Sequence, residues 1–268
     1  MRSQIGSEEA RRSQVKQTKV KRLNTTETCA KEKKTGMNIP PIFILCHPEY
    51  EPIRYQLLLS HLPKRGIPLE KVNWVRGPWG NELTSEEFFR LYDPFNGRFG
   101  MDIALSFKSE ALLAGELSLV MRLHIAIQEC LAMKGQDTFL IFESDVVLRE
   151  DFLERLQDVL KIAGTGPWDY ISLGEGQNTR PPTHAESYFG QTVLCKAPHS
   201  FVFRGTDSML FRRSFLEKLS QTLFPIRECM DWEMNIQMMV HKGLSLWADP
   251  PLVEPGSGRW RTATLLPG

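Results

Sequence analysis

Short apolar runs alternate with amphipathic stretches from residue 39 onward, a pattern that predicts strands and helices in a mainly parallel sheet. Strands are expected over 42–46, 72–75 and 168–174, with a strand-like run over 200–211. Helices are expected over 52–62, 151–162 and 212–223, with another after Glu233. A longer helix opens near Gly115, where Leu117, Val120, Met121, His124, Ile127 and Leu131 recur at helical spacing and Gly135 supplies the stop. His124 falls on that apolar face and reads as a core histidine. Gly77-Pro78-Trp79-Gly80 marks a turn. The stretch 84–109 carries the turn signals Asp93-Pro94 and Asn96-Gly97 and reads as an irregular excursion, and 177–200, with Pro181-Pro182, His184 and Pro198-His199, as a long surface loop.

The run Thr138-Phe139-Leu140-Ile141-Phe142-Glu143-Ser144-Asp145 differs from the others because it ends in two carboxylates two residues apart. Residues at that spacing in a strand project to one side, so Glu143 and Asp145 could face one divalent cation with hard oxygen ligands. A cation held by one or two carboxylates fills its other positions with water and substrate phosphates, and open α/β sheets take ligands beyond the carboxyl ends of their strands. The plain alternative is a solvated strand-to-loop junction with two ordinary acids.

Composition narrows the class. With 268 residues and 41% apolar content the chain can bury a substantial core. Its apolar runs fall short of a membrane span, and its first residues lack the apolar region of a secretory signal. Five scattered cysteines, Cys29, Cys46, Cys130, Cys195 and Cys229, without a Cys-x-x-Cys pair, suggest reduced thiols in a cytoplasmic setting. The net charge of +1 hides a division: residues 1–36 hold ten Lys or Arg against four Glu, the rest 23 basic against 28 acidic. The tail is expected to be disordered, with Met37 an alternative start and 37–268 the folded domain. Its charge leaves peripheral contact with anionic membranes open, but the plain reading is a solvated extension, and no nucleic-acid partner is expected. The glycines Gly174 and Gly176 make no dinucleotide fingerprint, and no phosphate-loop Gly-Lys-Ser/Thr occurs.

The order of motifs resembles glycosyltransferase family 25, which includes lipooligosaccharide and collagen-type galactosyltransferases. Gly115-Glu116-Leu117 resembles the family's helix opening, and His124 resembles its Ser-His pair displaced by one position. Phe139 to Val147 resembles its apolar-Glu-Asp-Asp-Val element, with Ser144 in place of the first aspartate. Trp168 to Gly174, Gly205-Thr206-Asp207-Ser208-Met209 and Met230-Asp231-Trp232 resemble three further elements in the family's order. The resemblance implies a GT-A-type, Rossmann-like α/β fold, a nucleotide-sugar donor, a glycan or glycoconjugate acceptor, and Mn2+ or Mg2+.

The implied chemistry needs the departing diphosphate neutralised, a task for a cation at Asp145, with Glu143 binding it through water or holding the donor's ribose. An inverting transfer also needs a carboxylate to take the acceptor hydroxyl's proton. Asp231 and Glu233 are the candidates, with first-turn helix acids as the plain reading of both. His47, just after the first strand, and Arg54 and Arg76, which resemble the family's early arginines, are candidate nucleotide contacts that equally fit a turn and surface charges. Residues 255–261 are a lid or a frayed end. The alternatives are a noncatalytic sugar-nucleotide or glycan binder and a metal-dependent phosphoesterase, though no His-x-His or Asp-x-His cluster supports the latter.

Overall fold

The apolar runs are buried on both faces and separate two layers of core. In chain order the described elements are β1 (Ile42–Leu45), α1 (Pro52–Lys64), β2 (Val72–Trp74), α2 (Ser85–Leu91), α3 (Ala114–Ala132), β3 (Thr138–Glu143), β4 (Val146–Leu148), α4 (Phe152–Ala163), β5 (Tyr170–Ser172), β6 (Val193–Lys196), β7 (Ser208–Arg212), α5 (Arg213–Thr222), α6 (Met230–Val240), β8 (Ser245–Asp249) and β9 (Val253–Pro255). This computed structural model describes residues 39–93, 112–164, 166–174, 192–197 and 205–256, all within the unit Asn38–Gly268. The basic tail 1–36 and Cys29 lie outside the described residues.

Side chains alternate along each strand. Phe43, Leu45, Phe139 and Ile141 pack with Leu117, Val120 and Ile127 of α3, Phe215 of α5 and Met234 of α6. Ile42, Ile44, Leu140 and Phe142 pack instead with Leu58 and Leu62 of α1 and Phe152 and Leu156 of α4. Strands covered on both faces read as unbroken apolar runs, which is why they stand out in the sequence.

The main sheet has seven strands in the order β2-β1-β3-β7-β5-β8-β6. β1 pairs in parallel with β2 and β3, and β5 with β8; β7 is antiparallel to β3 and β5, and β6 to β8. This is the expected α/β class, a mainly parallel sheet flanked by helices. The chain leaves β1 through α1 to reach β2 on one side, then crosses through α3 to β3 on the other, so the strand order reverses at β1. Ligands of open α/β sheets bind beyond the carboxyl ends of the strands at such a reversal, and β1 and β3 flank it.

Three expectations change. The strand expected to run to Asp145 stops at Glu143, and Ser144–Asp145 turn the chain into β4, which pairs with β9 in a separate two-stranded sheet. The strand-period reason for putting both acids on one side therefore ends at Glu143. The excursion expected from residue 84 begins with helix α2, whose cap Thr84 accepts from the Glu87 N–H at 3.2 Å while Glu87 Oε2 accepts from the Thr84 N–H at 2.9 Å. That Thr-x-x-Glu signal was legible. Residues 193–196, expected in a loop, form β6 against β8. Residues 94–111, 175–191 and 198–204, with His184 and His199, lie outside the described residues. No disulfide joins two of the described cysteines, and no helix among the described residues is long and apolar enough to cross a membrane.

Phe142 is fully buried and meets Phe152 edge-on, with centroids 6.1 Å apart. Phe142→Ala is expected to cost about 3–5 kcal/mol in urea denaturation, and a loss below about 1 kcal/mol would contradict this packing.

Candidate functional site

Four carboxylates gather beyond the carboxyl end of β3. Parallel pairing sets Glu143 opposite Leu45 at the end of β1. The Glu143 N–H donates to the Asp207 carbonyl at 2.9 Å, so Thr206 and Asp207, just before β7, lie beside it. A Cβ on Gly174, at the end of β5, would come within 2.3 Å of Asp207 Oδ1, so only glycine leaves room for that carboxylate. Asp231 arrives from the first turn of α6. Asp145 stands in the turn after β3.

The bonding of Thr206 fixes the protonation of this group. Its Oγ1 is 2.6 Å from Glu143 Oε1 and 2.6 Å from Asp231 Oδ1. One hydroxyl hydrogen serves one of these contacts, so the other requires a proton on a carboxyl. Glu143 retains it: burial above all, then the charges of Asp145, Asp231 and Asp207, push its pKa up to about 8. Burial likewise pushes Asp207 up to about 7, with Asp145 and Asp231 adding to the rise. Asp145 is raised by burial, against the opposing pull of Arg54.

A second group borders the acids. Glu51, immediately before α1, accepts from Arg54 Nη1 at 3.2 Å, Arg122 Nη1 at 2.9 Å, the Ser144 hydroxyl at 2.5 Å and the His47 N–H at 3.0 Å. The Arg122 guanidinium lies 5.1 Å from the Trp79 ring centroid, a cation–π contact. Tyr50 stacks on Trp79 with centroids 5.2 Å apart, and His47 lies 4.6 Å from Tyr50. Arg122 Nε and His47 Nδ1 are buried with no hydrogen-bond partner among the described residues.

The structure thus brings Glu143, Asp145 and Asp231 into one electrostatic group and sets His47 and Arg54 beside it. Arg76 is exposed at the end of β2. Glu233 goes elsewhere: fully buried, it pairs with Arg227, accepts from the Arg227 N–H at 3.1 Å and from Gln237 Nε2 at 2.9 Å, and is spent on holding the approach to α6. Asp231 takes its hydrogen bond from outside its own helix, and Cys229, the cap of α6, makes no side-chain cap. His124 packs edge-on against Phe224 at 4.6 Å, and burial lowers its pKa. Residues 257–268 lie outside the described residues. Sequence reasoning missed Glu51, Arg122, Thr206 and Asp207. The last two stood in the Gly205 to Met209 element, and Arg122 was marked by its place on an apolar helix face.

No protein-family model and no curated protein matches the chain. Among solved structures it is similar to S. aureus TarS 1–349, at 12% identity over 81% of this chain and 60% of that one, with a TM-score of 0.42. The complex of the same TarS segment with UDP-GlcNAc is similar at 12% identity over 81% of this chain and 58% of that one, TM-score 0.40. A197 from STIV is similar at 14% identity over 80% of this chain and 83% of that one, TM-score 0.40. The chain thus spans about 60% of the TarS structures it matches. The resemblance to glycosyltransferase family 25 rests on the quoted motifs alone.

Among the described residues no three His, Cys, Asp or Glu side chains form a ready-made metal cage. The donor set nevertheless fits a hard cation that draws its remaining ligands from water and phosphate, because the neighbouring acids that raise the pKa of Glu143 and Asp207 are relieved by added positive charge.

Two outcomes follow. The folded-state pKa of Glu143 exceeds its ordinary 4.5, so as pH rises the unfolded chain loses this proton first. The stabilisation contributed by this group is fully present below about pH 4.5, is lost by an amount on the order of a few kcal/mol as pH climbs to about 8, and then changes no further. Urea midpoints in chelator should drop between pH 5 and 8, with Glu143→Gln removing a large part of the slope and Asp207 carrying much of the rest; an equal slope in the variant would refute the assignment. Gly174→Ala should force Asp207 aside and cost about 1–3 kcal/mol in the same measurement, and a neutral result would mean that the Asp207 carboxylate is not held in place there.

Proposed function

We propose that residues 37–268 form a glycosyltransferase domain carrying a basic tail, 1–36. It moves a sugar from a nucleotide-sugar donor to a glycan or glycoconjugate acceptor with inversion and with a divalent cation, Mn2+ or Mg2+. The observation that carries this reading is the meeting of Glu143, Asp145, Asp207 and Asp231 beyond the carboxyl ends of β1 and β3, where the order of the sheet reverses. Asp145 and Glu143 are the residues that would hold the cation, which when bound neutralises the diphosphate as it departs.

The remaining work falls to the chain's own side chains. Asp231 is exposed, and the Thr206 hydroxyl, itself braced by Glu143, holds its Oδ1. That leaves the other carboxylate oxygen to take the acceptor hydroxyl's proton as the hydroxyl attacks the sugar. Asp231 rather than Glu233 is assigned as the base, because Glu233 is sealed in its pair with Arg227. Arg54 and Arg122 place positive charge beside the acids, and Arg76 lies exposed at the same sheet edge for the donor's phosphates. The rings of His47, Tyr50 and Trp79 offer a face for the nucleobase.

A screen of residues 37–268 against nucleotide sugars, each with Mn2+, Mg2+ or chelator, tests this reading. One donor should bind and turn over with cation only, and Asp145→Ala should lose both binding and turnover. Asp231→Asn should keep donor affinity while its turnover falls by about 10²–10⁴-fold. A folded Asp231→Asn protein with full turnover would remove the base assignment, and donor binding indifferent to chelator and to Asp145→Ala would remove the cation.

A further inference from the structure

Asp145 poses a mechanical problem that the sheet does not solve. The ladder of β3 ends at Glu143, the pairing of β4 begins at Val146, and the two residues between them belong to a turn. Something outside the sheet must fix its direction.

We infer that Glu51 is that positioning residue and that it acts through Ser144. This inference rests on the donor-site reading above. Ser144 is 3% exposed and sits between the two acids. Its hydroxyl donates to Glu51 Oε1 at 2.5 Å and accepts from Arg54 Nη1 at 2.9 Å, which satisfies its hydrogen and a lone pair. Arg54 in turn donates to the same Glu51 oxygen at 3.2 Å, closing a three-membered ring of contacts. The opposite oxygen, Oε2, accepts from the His47 N–H at the exit of β1 and from Arg122 Nη1 on α3. Arg122 Nη1 also reaches the Leu45 carbonyl at 3.3 Å. One carboxylate therefore ties the acidic turn to the end of β1, the start of α1 and the middle of α3.

Stability alone does not account for such an arrangement. Desolvating a carboxylate and a guanidinium costs about as much as their attraction returns, and apolar side chains of similar volume hold helices together as well. What apolar contacts lack is direction. A pair of short hydrogen bonds at Ser144 fixes the backbone from which Glu143 and Asp145 project, and outer partners of this kind commonly tune cation affinity by about ten- to a hundredfold. Ser144 can donate to Glu51, where an ionised acid at the same position would repel it.

The test uses Mn2+ alone as the probe, titrated calorimetrically into the full chain and into Ser144→Ala and Glu51→Gln, alongside amide hydrogen exchange and thermal melting. Both variants should bind Mn2+ about ten- to a hundredfold more weakly, with faster exchange confined to residues 144–146, and Ser144→Ala should melt close to the unsubstituted chain. A purely structural role would lower melting while leaving Mn2+ affinity and the exchange of the turn unchanged in the folded variants, and would overturn the inference. If Glu51→Gln does not fold, Ser144→Ala decides alone. Mn2+ binding by the unsubstituted chain with equal binding by both variants rejects only the role of Glu51. No Mn2+ binding by the unsubstituted chain rejects the donor-site reading and this inference with it.

Discussion

Crowded negative charge at one end of the sheet is the constraint that organises this molecule. Asp145, Asp207 and Asp231 raise the proton affinity of buried Glu143, and Asp145 and Asp231 that of Asp207, so the fold must keep together groups that repel. It does so with specific devices. Glu143 keeps its proton and shares Thr206 with Asp231, Gly174 gives up a side chain to admit Asp207, and Arg54 and Arg122 approach while joined to Glu51. The proton on Glu143 and the nearby arginines lower the repulsion, while Gly174 makes room for one more acid. A divalent cation arriving with a diphosphate would take over that neutralisation, which links the strain of the free site to its proposed use.

The two halves of the proposed reaction are carried on different parts of the sheet. Glu143 and Asp145 follow from β3 and its turn, on the side of β1 where the order reverses, whereas Asp231 comes from α6, packed on the face that α3 also covers. Thr206, at the entry to β7, joins them. Because β7 runs antiparallel to β3, its amino-terminal end meets the carboxyl end of β3, and this is what sets Thr206 and Asp207 beside Glu143. The antiparallel strand β7 therefore helps to build the candidate site of a mainly parallel sheet.

Much of this was legible in the sequence, and the rest was hidden for physical reasons. The doubly covered strands appear as unbroken apolar runs, so β1, β3 and β5 and the α/β class could be read directly. Glu143 and Asp145 stood out because acids ending such a run are conspicuous. The turn at Ser144 was not visible, because one residue of strand more or less leaves no trace in the pattern. Glu51 looked like any acid before a helix, and its four contacts reach Arg122 and Ser144, 71 and 93 residues away. Glu233 and Asp231 looked alike in sequence. Only Arg227 and Thr206 separate them, one sealing its acid in the core and the other presenting its acid at the surface.

The most direct measurement is anomalous diffraction at the manganese edge from crystals grown with Mn2+ and a nucleoside diphosphate. One Mn2+ should lie within coordination distance of Asp145 and of the diphosphate oxygens, in the space shared with Glu143 and facing Asp231. A diphosphate bound elsewhere, or bound in this space with Mn2+ absent or held by other residues, would contradict the donor-site reading.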